Sequence, residues 1–510
     1  MTVTTIDDEA APVRETTSVD AMLRRASSID FSQPLTFAVL AFVFIVSRVP
    51  FLGIGYGTDP DAWRMALSGL WLWDHQEFYP SRLPGYPVPE LAYAAVVKGG
   101  PWATNSLTVA ISLVGVWFFA RIAQKLDLEY RGLIVVGFAF TPLLWINSMT
   151  TMDYMWALTF LLGSYWFLLR RSSVLAGLLF GLAVGSRATS AFMLVPLLAF
   201  MWRDGRRTEI RPFMVSMIAV ALAAWAPIYW KYELNFLNFY DSKVGYQGVL
   251  RLLAKDCLGL IGAAAVVVAA VVSLPRLVRL PSDVVRDKNV MLWVLAIAVT
   301  AISFARLPHE AAYLIPVYPF ALFIMAKYFR PAALAGALAV MVLAGFIDLT
   351  APGEEIGLTE LAEARPGQGL VLSNRDTMEK QIDFTRDLDA ELAKVEQKTI
   401  VSLGFVYPIY VVQNYEDLNV GILEKDRDAI SQLSDKGKAD DRRRPVTYVW
   451  LLDYDTFNER RAEEYGFMYT QDAGRSTAAL YDYRVGLFGG KEIDLGRGPS
   501  GGSGAARTDR

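Results

Sequence analysis

Long apolar runs separated by short polar loops fill the chain to about residue 349, and then the pattern stops. Runs near 34–54, 104–123, 132–147, 153–169, 211–230, 257–274, 290–305, 311–326 and 331–349 read as helices crossing about 30 Å of hydrocarbon. A tenth run, 172–202, is too long for one span and is broken by Gly185-Ser186-Arg187. Basic residues flank both of its ends (Arg170-Arg171 and Trp202-Arg203), so the chain must return to the side it left. The pattern predicts two short helices meeting at Arg187, and about eleven membrane helices in all.

Short-loop arginines and lysines set the orientation. Arg121, Lys125, Arg131, Arg170, Arg171, Arg203, Arg206, Arg207, Arg211, Arg276, Arg279, Arg286, Lys288, Lys327 and Arg330 fall on one face if the spans alternate; the opposite short loops hold little beyond Arg187 and Arg306. The basic face is read as cytoplasmic. The outer face then collects the loop of about 55–103, the turn from Asn147 to Asp153, the Arg187 apex, segment 231–256 and the turn from Arg306 to Glu310.

The expected organisation is a cytoplasmic tail (1–33), a transmembrane domain (34–349), an extracytoplasmic α/β domain (350–495) and a flexible tail (496–510). Strands are predicted at Gly369 to Ser373, Thr399 to Val412, Val446 to Leu452 and Ala478 to Tyr483. Helices are predicted at Thr377 to Glu396, Glu424 to Leu433 and Thr456 to Tyr465, with Asn374 or Asp376 as an N-cap.

Composition agrees with a membrane protein. Hydrophobic residues make up 54% of the chain, and the mean hydropathy of +0.31 exceeds what an ordinary soluble surface allows. A net charge of -3, with basic residues in short clusters, excludes a nucleic-acid stripe. The single cysteine, Cys257, forms no intramolecular disulfide.

Candidate chemistry gathers in the outer loops, where a charge beside hydrocarbon is costly unless it is partnered or used. Asp59 and Asp61 flank Pro60 just after the first span: one carboxylate can take a proton from an acceptor hydroxyl while the other orients it or holds a cation. Trp63, Trp71, Trp73 and Trp102 supply faces that stack on sugars or form an interfacial belt. His75, His309, Glu90, Arg64, Arg82, Tyr86, Glu310 and Tyr313 are further outer candidates. Arg187 either grips phosphate through its rigid fork of donors or snorkels to headgroups. Asp153 is either an ordinary helix-start acid or part of the same mouth.

The order of these features resembles the GT-C superfamily of membrane glycosyltransferases, in particular its family 39-like branch with the protein O-mannosyltransferases and the lipid A aminoarabinose transferase. The likeness rests on the acid pair after the first span, the long first outer loop, Asp153 at the next outer turn, the glycine-rich run from Gly177 to Thr189 and the Arg306-to-Pro316 segment, and covers about 34–330. It implies inverting transfer of one sugar from a polyprenyl-phosphate donor to a lipid, glycan or protein acceptor outside the inner membrane of a bacterium. On that likeness Asp59 is the base, with Asp61 as its partner. Asp153, His75 and Glu90 position the acceptor, and Arg187, Arg306 and His309 bind the donor phosphate. No metal ligand set is assigned, a divalent cation being the lesser role for the acids. Asp59-Pro60-Asp61 replaces the family's usual Asp-Glu, which leaves open which carboxylate is the base. The competing reading is a multi-pass transporter or lipid-linked sugar flippase.

Overall fold

A computed structural model describes residues 29–82, 84–234, 249–350, 363–392, 399–402 and 407–415, and short strands at 446–449, 466–470, 479–482 and 492–494. Every expected apolar run contains helix. In chain order these are α1 (Pro34–Arg48), α2 (Pro60–His75), α3 (Pro87–Ala94), α4 (Gly100–Lys125), α5 (Arg131–Phe140), α6 (Pro142–Asn147), α7 (Tyr154–Leu169), α8 (Ser173–Ser186), α9 (Leu194–Arg203) and α10 (Arg207–Tyr232). They continue with α11 (Leu260–Val272), α12 (Leu274–Leu277), α13 (Leu280–Arg286), α14 (Lys288–Arg306), α15 (Val317–Tyr328), α16 (Pro331–Leu343), α17 (Leu370–Leu392) and α18 (Tyr407–Gln413). Among the described residues four helices are long and apolar enough to cross a membrane, or five if the pair bent by 66° at residue 273 counts as one; six further apolar helices are shorter. Proline explains part of the shortening: Pro142 opens α6 directly after Thr141, dividing one run in two.

The break at Arg187 forms as the sequence predicts. Arg187 is extended (φ -156°, ψ 116°) between α8 and a tight turn, Ala188–Met193, that leads into α9. Two hydrogen bonds show that the chain returns: beyond the end of α9, Arg206 donates to Leu168 O at 2.7 Å and to Ser173 Oγ at 3.0 Å, at the start of α8. The glycines have a packing reason. A Cβ on Gly177 would stand 2.2 Å from Phe213 O, on Gly181 2.7 Å from Met217 O and on Gly185 2.7 Å from the Ala224 Cβ. Small residues every fourth position therefore let α8 and α10 pack with backbones in contact.

The bundle has two charged ends. At one, Lys288 pairs with Asp204, and Lys327 with Asp287 at 2.7 Å. Asp287 also caps α14 by accepting from Asn289 N at 2.8 Å. The opposite ends of α7, α8 and α14 carry Asp153, Arg187 and Arg306. Between the two, Phe119 stacks on Phe138 and Phe323 at centroid distances of 4.3 and 4.7 Å.

The C-terminal part departs from expectation in several places. Gly369 to Ser373 is not a strand: α17 starts at Leu370, and Asn374 and Asp376 lie inside it rather than capping it. A short apolar run is ambiguous by periodicity, and Val371, fully buried, heads the apolar stripe of the helix. The Thr399-to-Val412 strand covers only β3 (Thr399–Ser402), after which α18 follows. The last apolar run ends in β1 (Ile347–Thr350), paired antiparallel with β2 (Arg365–Gln368). Strands β4 (Val446–Val449), β5 (Gly466–Thr470), β6 (Ala479–Asp482) and β7 (Glu492–Asp494) join β3 in the order β4-β3-β5-β6-β7. Within this sheet β3 runs parallel to β4 and β5, and β5, β6 and β7 are antiparallel. The helices predicted at 424–433 and 456–465, residues 1–28 and the 496–510 tail lie outside the described residues.

Candidate active site

Asp59 is the N-cap of α2. Pro60 occupies the first helical position, where no amide is needed, and the Asp59 carboxylate accepts from Asp61 N at 2.8 Å. The loop before it is tight: Trp63 donates its indole N–H to Gly57 O at 2.8 Å, and a Cβ on Gly57 would meet Thr150 Cγ2 at 2.4 Å. Facing the acid pair is Glu310, and single oxygens of Asp59, Asp61 and Glu310 all lie within 4.8 Å of one another. Burial pushes Asp59 up to about 8, and the charges of Glu310 and Asp61 add to that rise. Burial also raises Glu310, against a hydrogen bond from Tyr154 Oη at 2.6 Å. The three carboxylates form the kind of oxygen-only set that suits a hard divalent cation. Asp153, assigned by resemblance to a similar role, is not in that set.

Beside the acids stands a cradle of two arginines joined through one carboxylate. Arg82 places Nε 2.9 Å from Asp61 and Nη2 3.1 Å from Asp153; Arg187 Nη1 lies 2.7 Å from the other Asp153 oxygen. Asp153 begins α7, yet its side chain caps nothing and is fully buried between the two cations. Aromatic faces complete the cradle: Tyr86 lies 4.0 Å from the Arg82 guanidinium, and Tyr154 and Tyr313 lie 4.3 and 4.9 Å from that of Arg187. Burial works against the Arg82 cation, but Asp61, Tyr86 and Asp153 outweigh it and hold its pKa well above the ordinary value. Arg82 Nη1 is buried without a hydrogen-bond partner among the described residues. Arg64 pairs with Asp61 at 2.5 Å.

Several sequence candidates sit elsewhere. His75 ends α2, sixteen residues and so about 24 Å from Asp59 along the helix; it is stacked on Trp71 at 3.6 Å and exposed. Glu90 is buried and accepts from Ser81 N (2.7 Å), Ser81 Oγ (2.5 Å) and Tyr86 N (3.1 Å). Burial raises it to about 7 against those donors. These bonds tie Glu90 to the loop that presents Arg82 and Tyr86. Arg306 and His309 are exposed. Trp63 and Trp71 spend their faces on internal packing, leaving Trp73 and Trp102 exposed.

Sequence reasoning missed Tyr154, which joins Glu310 to Arg187, although its place directly after Asp153 was a signal. It also passed over Arg48, which is fully buried at the end of α1 and bonded to Ser148 Oγ (3.1 Å) and Ala139 O (2.6 Å) under the rings of Phe44 and Trp145. An arginine at the end of an apolar run reads as interfacial, and only the fold shows it turned inward.

No protein-family model matches the sequence, and no curated protein matches it either. Among solved structures, ArnT from Cupriavidus metallidurans bound to undecaprenyl phosphate aligns over 86% of this chain and 93% of its own, with a TM-score of 0.51 at 13% identity. The chain has an ArnT-like fold. The apo crystal structure of the same ArnT covers 79% of this chain and 92% of its own, with a TM-score of 0.49 at 11% identity. The ArnT-like fold agrees with the polytopic helical architecture that the sequence predicts.

Proposed function

We propose that the protein is a membrane glycosyltransferase that moves one sugar from a polyprenyl-phosphate donor to a lipid, glycan or protein acceptor on the extracytoplasmic face, with inversion. The observation that carries this reading is the Arg82–Asp153–Arg187 cradle standing against the Asp59–Asp61–Glu310 carboxylates at one end of the bundle. The ArnT-like fold adds to it, since the related structure holds undecaprenyl phosphate.

In this reading Asp59 takes the proton of the acceptor hydroxyl as its oxygen attacks the anomeric carbon. The bond from that carbon to the phosphate oxygen breaks, and the lipid phosphate leaves with the electron pair. Arg187 and Arg82, whose Nη1 has no hydrogen-bond partner among the described residues, meet the growing charge. A base that titrates near the working pH suits the step, and Asp59 meets that condition. A divalent cation on Asp59, Asp61 and Glu310 would neutralise the crowded acids and orient the hydroxyl; the residues themselves still hold and move the proton.

A flippase would need charged groups along a continuous path. Here they gather at two ends, with stacked aromatic rings between them. The test is release of polyprenyl phosphate from polyprenyl-phosphate-linked sugars by the purified protein. Turnover that survives Arg82→Ala and Arg187→Ala together would remove the cradle from the mechanism.

A further inference from the structure

The stretch Gly55 to Thr58, which leads into Asp59, has no strand or helix of its own, yet the base must be held to a fraction of an ångström for efficient proton transfer. Helix α17, over three hundred residues later in the chain, lies across it. Asn374 Nδ2 donates to Thr58 Oγ1 at 2.9 Å, and Gln381 Nε2 donates to Thr58 O at 2.9 Å. The two amides are seven residues apart, two helical turns, and so share one face. Met378 and Ile382 fill the same face: a Cβ on Gly55 would stand 3.0 Å from Met378 Sδ and 3.3 Å from Ile382 Cδ1. Polar and apolar contacts of one stripe thus converge on the residues just before the acid pair.

We propose that α17 is a positioning clamp for the base, with Asn374 and Gln381 holding Thr58 so that Asp59 faces the acceptor. The proposal rests on the transferase reading for its kinetic consequence, not for the contact itself. Neither residue touches the arginine cradle, so donor binding does not depend on them. Helix α17 is therefore a positioning element of the site. Gln381 Oε1 is buried without a hydrogen-bond partner among the described residues, because its Nε2 is committed to the Thr58 carbonyl. That arrangement fixes which way the amide points, and Gln381→Met, of similar length, removes the donor without adding a charge.

The experiment uses the full chain in lipid nanodiscs, with two readouts. Hydrogen exchange of the amides around 57–62 should speed about 5-fold to 10-fold in Asn374→Ala and Gln381→Met, the scale of one lost hydrogen bond, while exchange in α7 and α8 stays at wild-type rates. With polyprenyl-phosphate sugar as substrate, kcat should fall about 10-fold in each single variant and up to about 10²-fold in the pair, with the donor KM unchanged. Thr58→Val should match Asn374→Ala, the double variant of these two should be no worse than either, and Thr58→Ser should restore turnover. Unchanged exchange at 57–62 would overturn the clamp. So would faster exchange with wild-type kcat, or a rise in donor KM as large as the fall in kcat. If the wild-type protein turned over no donor, the transferase reading would fail, and the exchange arm would still decide whether α17 grips the loop.

Discussion

Replacing Asp59 by Asn separates its chemical role from its structural one. Asparagine caps helices as well as aspartate does, so the bond from Asp61 N and the start of α2 are retained. What is lost is the proton acceptor, and turnover should fall about 10²-fold to 10⁴-fold. Stability should move the other way. Two ionised carboxylates with oxygens up to 4.8 Å apart repel by about 3.5 kcal/mol at an effective dielectric constant of about 20. Burial disfavours the Asp59 charge most, Glu310 and Asp61 add to that, and Arg82 is a partial offset. Its folded value of about 8 lies above the ordinary 3.8, so the wild type loses stability as pH rises from about 4 and stops losing it above about 8, by at most about 1.4 kcal/mol per pH unit. The neutral amide of the Asp59→Asn variant carries no such penalty. Melting of Asp59→Asn and wild type in nanodiscs, with chelator present, should therefore diverge from pH 5 to pH 8.5 in favour of the variant, while donor turnover is lost at every pH. Wild-type turnover in Asp59→Asn would refute the base assignment, and a stability gap independent of pH would refute the crowded carboxylates.

Other outcomes follow from the same geometry. Arg187→Lys should lose donor turnover about 10-fold, because a point charge cannot keep both the Asp153 contact and a fork to phosphate; wild-type rates would make Arg187 an interfacial anchor. Arg306→Ala and His309→Ala should stay within about 3-fold of wild type, and a larger loss in either would return them to the phosphate site. Glu90→Ala should weaken donor use and lower the melting temperature together, since it frees the loop holding Arg82 and Tyr86, whereas a loss of activity alone would argue for acceptor contact. Single cysteines in place of Pro80 and Ile400 should react with an impermeant thiol reagent from outside, and one replacing Asp20 only from the cytoplasm; labelling of residue 400 from the cytoplasm would reverse the orientation.

The helices of the apolar runs were legible because their signals are local. Apolar runs set the helices, and the Gly185-Ser186-Arg187 break between two basic flanks foretold the return at Arg187. The acid pair was found for the same reason: Asp59-Pro60-Asp61 is contiguous in sequence. The partners were not. Arg82, Asp153 and Arg187 come from three separate segments, and nothing in the spacing of 82, 153 and 187 says that one carboxylate joins two guanidinium groups. Arg306 and His309 drew attention as a dense polar turn, yet that turn delivers Glu310 inward and leaves the other two exposed. Thr58 shows the limit most plainly, since its hydrogen-bond donors come from a helix whose first residues, Gly369 to Ser373, read as a strand.

The most direct test of the central claim is to incubate the wild-type protein and Asp59→Asn, each in nanodiscs, with polyprenyl-phosphate-linked sugars extracted from the source membrane, and to follow individual donors and free polyprenyl phosphate by mass spectrometry. The account predicts that wild type depletes at least one polyprenyl-phosphate monosaccharide with matching release of polyprenyl phosphate, and that Asp59→Asn does so at least about 10²-fold more slowly. Equal depletion by both, or no depletion by wild type in the presence of membrane acceptors, would contradict it.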